Sequence, residues 1–405
     1  MSNFINFSVL RHNRNYRLLY TGQFVSFIGT QITSVALPYQ IYHVTYSVLM
    51  VGLLSLFQLL PLLITALLGG VLADRHHRRK LLLVAESLLA ISCLLLAFNA
   101  TTAQPHIGAI FVVAVAMSAL TGLHRPALDS ITQQMVAKEE FPQIGALQNF
   151  MYGVCVIVGP AIGGLIISHF GLVNTFILDF LTFFISIITL LLISNIPKPV
   201  ATEELSTWAS LKQGFKYAFS RQELIGTYLV DFIAMIFGMP MALFPAIAHS
   251  FGGVKTLGML YSAQAVGALV VSCFSGWTAR VKRHGIAITM AAVFWGVAII
   301  FFGLSHNLWF ALFFLAAAGA FDAISGIFRQ TMWNEIIPVE LRGRLAGINM
   351  IGYISGPKLG DTEAGLLAAA FGITASIVSG GVLCVVGVGI CCYFLPKFWQ
   401  YRSTD

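Results

Sequence analysis

The sequence predicts an all-α polytopic membrane protein, with twelve transmembrane helices arranged as two pseudo-symmetric six-helix bundles. Three observations carry this expectation. Of the 405 residues, 58% are hydrophobic and only 10% charged, against about a quarter charged in ordinary soluble domains, so a water-soluble fold is excluded. Apolar runs recur along the chain that reach the ~18 residues needed to cross a bilayer. Related segments return in the same order at an offset of about 200 residues, the mark of a duplicated unit.

The apolar runs lie at 16–43, 46–73, 81–99, 106–135, 143–169, 172–194, 224–249, 256–279, 286–305, 308–334, 345–369 and 373–395. They are continuous and lack the alternation of barrel strands, so helices, which satisfy their own backbone groups in lipid, are expected. The N-terminus, MSNFINFSVLRHNRNYRLLY, has no short apolar core followed by a small-residue cleavage site, and the first span is expected to be retained. The longest polar interruption divides the chain into a bundle at 1–195, a linker at 196–222 and a second bundle at 223–405. A short amphipathic helix is expected in the linker from about Trp208 to Phe219.

Charge placement orients these spans. Nineteen of the 23 Lys and Arg fall in the tails, the linker and one set of alternate loops, while only Lys255 falls in the opposite set. The positive-inside rule then places both termini and the linker in the cytoplasm. The formal charge of +7 therefore describes topology, and no nucleic-acid partner is expected. The remaining basic residues, Arg125, Arg329 and Lys358, lie inside spans.

The internal repeat is visible in several segments. LPYQIYH (37–43) matches FPAIAH (244–249), MVAKEEFPQIGALQN (135–149) matches IIPVELRGRLAGIN (336–349), and CVIVGPAIGG (155–164) matches GYISGPKLGD (352–361). A parallel duplication of this kind is the arrangement in which two halves rock about a central site.

Three motifs carry candidate mechanism. After the second run comes GGVLADRHHRRK (69–80); its small glycines permit close helix contact, and Asp74 with Arg75, Arg79 and Lys80 can latch a tight turn. An ordinary basic loop is the alternative. Within the fifth run, Gly159, Pro160, Gly163 and Gly164 form a bend beside a small-residue packing seam. The eleventh run repeats this bend at Gly356 and Pro357 and adds Lys358, Asp361 and Glu363. Charges inside a membrane span are costly and usually mark function. Lys358 and Asp361 share a helix face, so a static ion pair competes with a proton or substrate site.

The loop motif resembles that of the major facilitator superfamily, matching at Gly70, Leu72, Ala73, Asp74, Arg75, Arg79 and Lys80, with His77 at the second glycine position. The resemblance covers the whole chain and implies the major facilitator fold of two six-helix halves. CVIVGPAIGG is similar to the fifth-span pattern of that superfamily's antiporters, with Cys155 at the first glycine position, and this implies export. GPKLGDTEAG (356–365) resembles the eleventh span of siderophore and macrolide exporters.

Other ionisable residues inside the runs are Glu86, Arg125, Asp129, Asp179, Asp231, Asp322 and Arg329. Arg125 and Asp129, four apart, are expected to pair locally, and Arg329 is expected to find Glu335 within two turns; both pairs are candidate gate contacts. By the resemblance, Asp231 and Asp322 face the central cavity. A buried carboxylate there suits proton exchange, making Asp322, Asp231 and Asp361 the proton-coupling candidates. Lys358, Glu363, Gln31 and Gln58 are the candidate substrate or ion-pair groups.

No metal spacing joins the histidines and cysteines, and no Walker loop, nucleophile elbow or H-E-x-x-H is present, so neither a cofactor nor an enzymatic reaction is expected. The functional expectation is a monomeric, proton-gradient-driven antiporter that exports a small molecule, siderophore-like or an amphipathic drug, from within the lipid bilayer. An uptake permease or facilitator of the same fold, and a membrane scaffold or sensor that moves nothing, are the alternatives.

Overall fold

The computed structural model describes residues 7–75, 77–194, 216–338 and 341–403, with only the backbone at 70–75, 138, 342–344, 346–348 and 350. A short helix α1 (Ser8–His12) leads into α2 (Arg14–Thr45), α3 (Val48–Arg75), α4 (Arg78–Thr101), α5 (Ile107–Met135) and α6 (Phe141–Leu192). The second half comprises α7 (Gln222–Phe237), α8 (Phe244–Ser250), α9 (Val254–Cys273), α10 (His284–Gly303), α11 (Leu308–Ile336), α12 (Arg342–Phe371), α13 (Ile373–Phe394) and α14 (Pro396–Trp399). Among the described residues nine helical segments are long and apolar enough to cross a membrane, α7 and α8 counting as one with their connection. Helix α6 covers two of the expected runs, and α2 and α12, at 32 and 30 residues long enough to cross but more polar, complete a set consistent with twelve.

Particular residues set the ends and breaks of these helices. Asn13 caps α2 by accepting from Tyr16 N at 2.9 Å, and its amide donates to Met135 O at 2.7 Å, tying the start of α2 to the end of α5. Asn307 caps α11 by accepting from Trp309 N at 2.8 Å. The expected separation between 169 and 172 is a single residue, Gly171, held at φ 78° inside an otherwise continuous helix. Gly372, between α12 and α13, has φ 90°. Both sit in the region that glycine adopts most cheaply, and their positions differ by the repeat offset.

Two expected spans differ from single continuous helices. Run 224–249 is broken between α7 and α8 at Gly238–Pro240, where a 3-10 turn at Met241–Leu243 intervenes. Proline removes a donor there, and the freed backbone groups find other partners. Trp295 Nε1 donates to Gly238 O at 3.0 Å, and Ala242 N donates to Asp361 Oδ1 at 2.8 Å. Run 256–279 ends as α9 at Cys273 and continues as 3-10 turns from Ser275 to Arg280. In the linker, residues 208–215 of the expected amphipathic helix lie outside the described residues, and 216–220 are helical.

The chain forms two compact units. Unit 1 comprises residues 1–46, 57–202 and 252–262, and unit 2 comprises 47–56, 203–251 and 263–405. Unit 1 is centred on Leu19, Leu82, Ala127, Ile131 and Leu190, with a second cluster around Tyr16, Tyr20, Ile144 and Leu147. In unit 2, Ala218, Leu224, Ile337 and Leu345 form a core cluster. Outward-facing apolar side chains such as Phe98 and Trp309 are 71% and 73% exposed; contact with lipid tails makes such exposure compatible with stability, where contact with water would not.

The glycine-proline segments are packing seams. In unit 1, a Cβ on Gly159 would lie 2.5 Å from Gln31 Cβ, and one on Gly163 would lie 3.3 Å from Ile32 Cα, so this face of α6 seats directly on α2. A Cβ on Gly164 would lie 2.9 Å from Gly258 N at the start of α9. In unit 2, a Cβ on Gly356 would meet Met235 Cβ at 2.7 Å, so α12 seats on α7 in the same manner. Pro160 and Pro357 remain inside their helices.

Candidate functional site

Unit 2 gathers three of the buried charges. Asp231 projects from α7, while Asp322 and Arg329 lie two turns apart on α11, a spacing that puts both on one face. Arg329 Nη1 pairs directly with Asp231 Oδ1, and Nη2 lies 3.7 Å from Asp322 Oδ1. The guanidinium therefore bridges two carboxylates. Asp231 and Arg329 are mostly buried, whereas the Asp322 side chain is 39% exposed and is the more accessible acid. One turn beyond Arg329, Trp333 also ties α11 to α7, its ring 4.9 Å from that of Tyr228 and its Nε1 donating to Thr227 Oγ1 at 3.0 Å.

The expected partner of Arg329 is corrected here. Glu335 faces the C-terminal tail, accepting from Tyr401 Oη and Ser403 Oγ at 2.9 Å each, with His284 Nδ1 at 3.4 Å. Glu335 lies six positions beyond Arg329, about 240° around α11 at ~3.6 residues per turn and so away from its face, whereas the seven positions from Asp322 return to it.

Asp361 has a different setting. Its Oδ1 accepts from Ala242 N at the broken helix and its Oδ2 from Ser55 Oγ, both at 2.8 Å. Both oxygens thus serve backbone and hydroxyl donors inside unit 2, and Lys358 supplies the nearby positive charge. Thr362 Oγ1 donates to Lys358 O at 2.8 Å and Gly52 O at 3.2 Å. Glu363 stands apart, with Oε1 buried and without a hydrogen-bond partner.

Unit 1 contains a cavity of about 120 Å³ between α2, α4, α5 and α6. Gln23, Phe27, His124, Arg125, Asp129, Gln148 and Tyr152 are among its lining residues, and the Phe27 and Tyr152 rings stack at 5.7 Å. The expected Arg125–Asp129 ion pair is not formed among the described residues; both side chains instead line the cavity, where Arg125 acts on Asp129 through its field. A four-residue spacing permits contact but does not compel it when a polar cavity solvates both groups. Beneath the cavity, Glu86 is fully buried and contacts Gln23 and His124. Asp179 is also fully buried, where it accepts from Thr33, from Cys93 Sγ at 3.3 Å and from Thr182 Oγ1 at 3.1 Å.

Gln31 and Gln58 do not join this cavity. Gln31 packs against Gly159, and the Gln58 carbonyl accepts from Ser118 Oγ at 2.8 Å. In the loop motif, the side chains of Gly70, Asp74 and Arg75 lie outside the described residues. Arg79 donates through Nε to Leu190 O at 2.8 Å and through Nη2 to Leu191 O at 2.6 Å, satisfying carbonyls at the C-terminal end of α6. Lys80 is exposed in the first turn of α4.

The sequence reading missed His124, Gln23, Gln148 and Tyr152. His124 adjoins Arg125 in a run already interrupted by charge, and that adjacency was the available signal. The amides and the tyrosine resemble ordinary polar residues of a span until the tertiary fold brings them around one cavity.

Helices of this length, buried charges within them and the duplicated seams define an integral membrane transporter of the major facilitator fold. Solved structures agree on the fold. A point mutant of the nucleoside transporter NupG has a TM-score of 0.75 at 13% identity, covering 94% of this chain and 99% of its own. A bacterial homologue of the human lysosomal transporter Spinster has a TM-score of 0.72 at 14% identity, with both chains fully covered. The chain belongs to the transmembrane secretion effector family, whose model matches residues 5–402. Among curated relatives, Enterobactin exporter EntS of Shigella boydii serotype 18 is 28% identical over 402 residues, covering 99% of this chain and 96% of the relative. Its counterpart in Escherichia coli O1:K1 is 27% identical over the same length and coverage.

Proposed function

We propose that the protein is a secondary active exporter of the bacterial inner membrane, which exchanges a cytoplasmic siderophore-like metabolite or amphipathic drug for protons by alternating access. Both termini and the linker face the cytoplasm in this reading. The observation that carries it is the Asp231–Arg329–Asp322 cluster, in which one guanidinium is shared between two carboxylates of unequal exposure. With both acids ionised the cluster carries one net negative charge, and a single proton makes it neutral. The partly exposed Asp322 is the proton-exchanging group, and Asp231 holds Arg329 in place. Neutralising the cluster lowers its desolvation cost, which links proton occupancy to the conformations α7 and α11 can adopt. The full-length relation to enterobactin exporters supports export and a siderophore-like substrate.

The deciding experiment compares culture medium from cells with and without the protein, under iron limitation and iron excess. Loss of an iron-chelating compound from the medium when the protein is absent is the expected result. Everted vesicles then test direction and coupling: loading of that compound should stop when the proton gradient is collapsed. Loading that persists unchanged after collapse would overturn proton coupling, and loading only into right-side-out vesicles would favour an uptake permease.

A further inference from the structure

Unit 1 contains a buried acid and imidazole that the mechanism above does not use. Glu86, on α4, is completely buried. Its Oε1 accepts from Gln23 Nε2 at 2.5 Å and lies 3.1 Å from His124 Nε2. Its Oε2 is buried with no hydrogen-bond partner. Gln23 is itself anchored, donating also to Ser186 Oγ at 3.2 Å. Glu86 therefore sits sealed in the helix packing, while the His124 side chain is 16% exposed and lines the cavity of unit 1.

The arrangement constrains the charge of the pair. An ionised carboxylate at zero exposure with one bare oxygen is expensive, by several kcal/mol, unless a positive charge or a proton compensates it. Its immediate side-chain partners are a neutral amide and the imidazole. One proton on the pair gives either imidazolium with carboxylate or imidazole with carboxylic acid, and both are neutral overall. Without that proton the pair carries one buried negative charge. The surrounding titratable groups do not substitute for it. From α5, Arg125 and Asp129 line the cavity and oppose each other in charge, and Asp129 interacts with His124 as well as with Arg125, so it acts on the imidazole but leaves Glu86 Oε2 without a partner. From α6, Asp179 is occupied by Thr33, Thr182 and the α4 thiol of Cys93. From α2, the Tyr20 hydroxyl donates to Leu147 O.

We propose that Glu86 and His124 together hold one exchangeable proton at the wall of the unit 1 cavity, forming a proton-binding site distinct from the Asp231–Arg329–Asp322 cluster. A proton taken from the cavity forms a new N–H bond on the imidazole, or an O–H bond on Glu86 relayed through it, and the same bond breaks on release. The pair acts as a unit: Gln23 orients the carboxylate, Glu86 supplies the compensating charge and His124 is the point of entry. The proposal extends the exporter reading and does not depend on it, since the proton binds without substrate.

The test is pH-difference infrared spectroscopy of the full-length protein in lipid nanodiscs, without substrate, over about pH 5 to 8, where histidine chemistry operates. Wild type, Glu86→Gln, His124→Gln and Asp322→Asn are compared, each with isotope-labelled histidine. In wild type, imidazole and carboxyl bands should change together. Glu86→Gln should abolish the carboxyl band and displace the imidazole midpoint, whereas Asp322→Asn should leave both in place. An imidazole midpoint unmoved by Glu86→Gln, or no His124 band across the range, would overturn the proposal. Should Glu86→Gln fail to insert, His124→Gln at the partly exposed position decides the matter, because it must remove or displace the Glu86 band. Loss of coupled transport in Asp322→Asn with these bands intact separates the two proton sites.

Discussion

Two isosteric substitutions, Asp231→Asn and Asp322→Asn, should separate the structural and the coupling roles of the unit 2 cluster. Each removes one negative charge from the same guanidinium, but the geometry makes their costs unequal. At the 3.7 Å between Arg329 and Asp322, two unit charges attract by about 1 kcal/mol in water and about 4 kcal/mol at an effective dielectric near 20. Asp322 is set back from the guanidinium and its side chain is the more exposed of the two acids, 39% against 16%, so its pair with Arg329 is the weaker one. Asp231 contacts Arg329 directly, with side chains only 16% and 17% exposed, and removing one partner of a buried pair costs about 3–5 kcal/mol. Asp231→Asn should therefore lower thermal stability in detergent markedly and reduce the amount of folded transporter. Asp322→Asn should remain close to wild type in stability while losing transport driven by an imposed proton gradient in proteoliposomes. Substrate exchange without a gradient should persist in that variant. Gradient-driven flux at the wild-type rate in Asp322→Asn would refute the coupling role. A stability ranking with Asp322→Asn below Asp231→Asn would refute the assignment of Asp231 as the anchor.

Other perturbations probe the framework around the cluster. Asp361→Ala leaves the Ala242 amide and Ser55 hydroxyl without their acceptor and should cost about 1–3 kcal/mol, while Asp361→Asn keeps one acceptor oxygen and should lose less; denaturation in micelles ranks the two. Gly258→Val places bulk where even a Cβ would lie 2.6 Å from Pro160 O, and should destabilise unit 1 by about 1–3 kcal/mol through overpacking, seen as a lower melting temperature. Arg79→Ala removes the guanidinium donor from two carbonyls at the end of α6, of which Leu190 O keeps the Ile193 amide, and should lose about 1–2 kcal/mol, whereas Lys80→Ala at an exposed position should change stability little. Burial, with the Glu335 carboxylate adding to it, pushes the Tyr401 phenol above its ordinary value. The neutral phenol is thus the form the docked tail favours, so its stabilisation is complete below about pH 10 and declines as pH rises further. Protease cleavage of the tail should stay flat through neutral pH and increase only in strong alkali, and Tyr401→Phe should remove part of that alkaline dependence.

Much of the framework was legible because bilayer insertion leaves few ways to satisfy a backbone. Continuous apolar runs must be helices there, and the near-equivalence of Gly171 and Gly372 in the structure follows the offset already visible in the glycine-proline segments. The broken span at Gly238–Pro240 was less legible, since its hydropathy is that of an unbroken helix. Its stability depends on Trp295 and Asp361, a donor and an acceptor distant in sequence. The same limitation governs the charges. Spacing along one helix suggested Arg125 with Asp129 and Arg329 with Glu335, yet Arg329 turned to Asp231 on another helix, and Arg125 and Asp129 to a shared cavity. Local spacing identifies the partners that are reachable; desolvation selects among them, and that selection depends on which neighbouring helix arrives with the better countercharge. For this reason Asp361 and Asp322, both acids within apolar runs, have different prospects. Asp361 is occupied by two structural donors, whereas Asp322 is partly exposed beside a guanidinium already paired elsewhere, and of the two it is the carboxylate that can change protonation without dismantling a helix break.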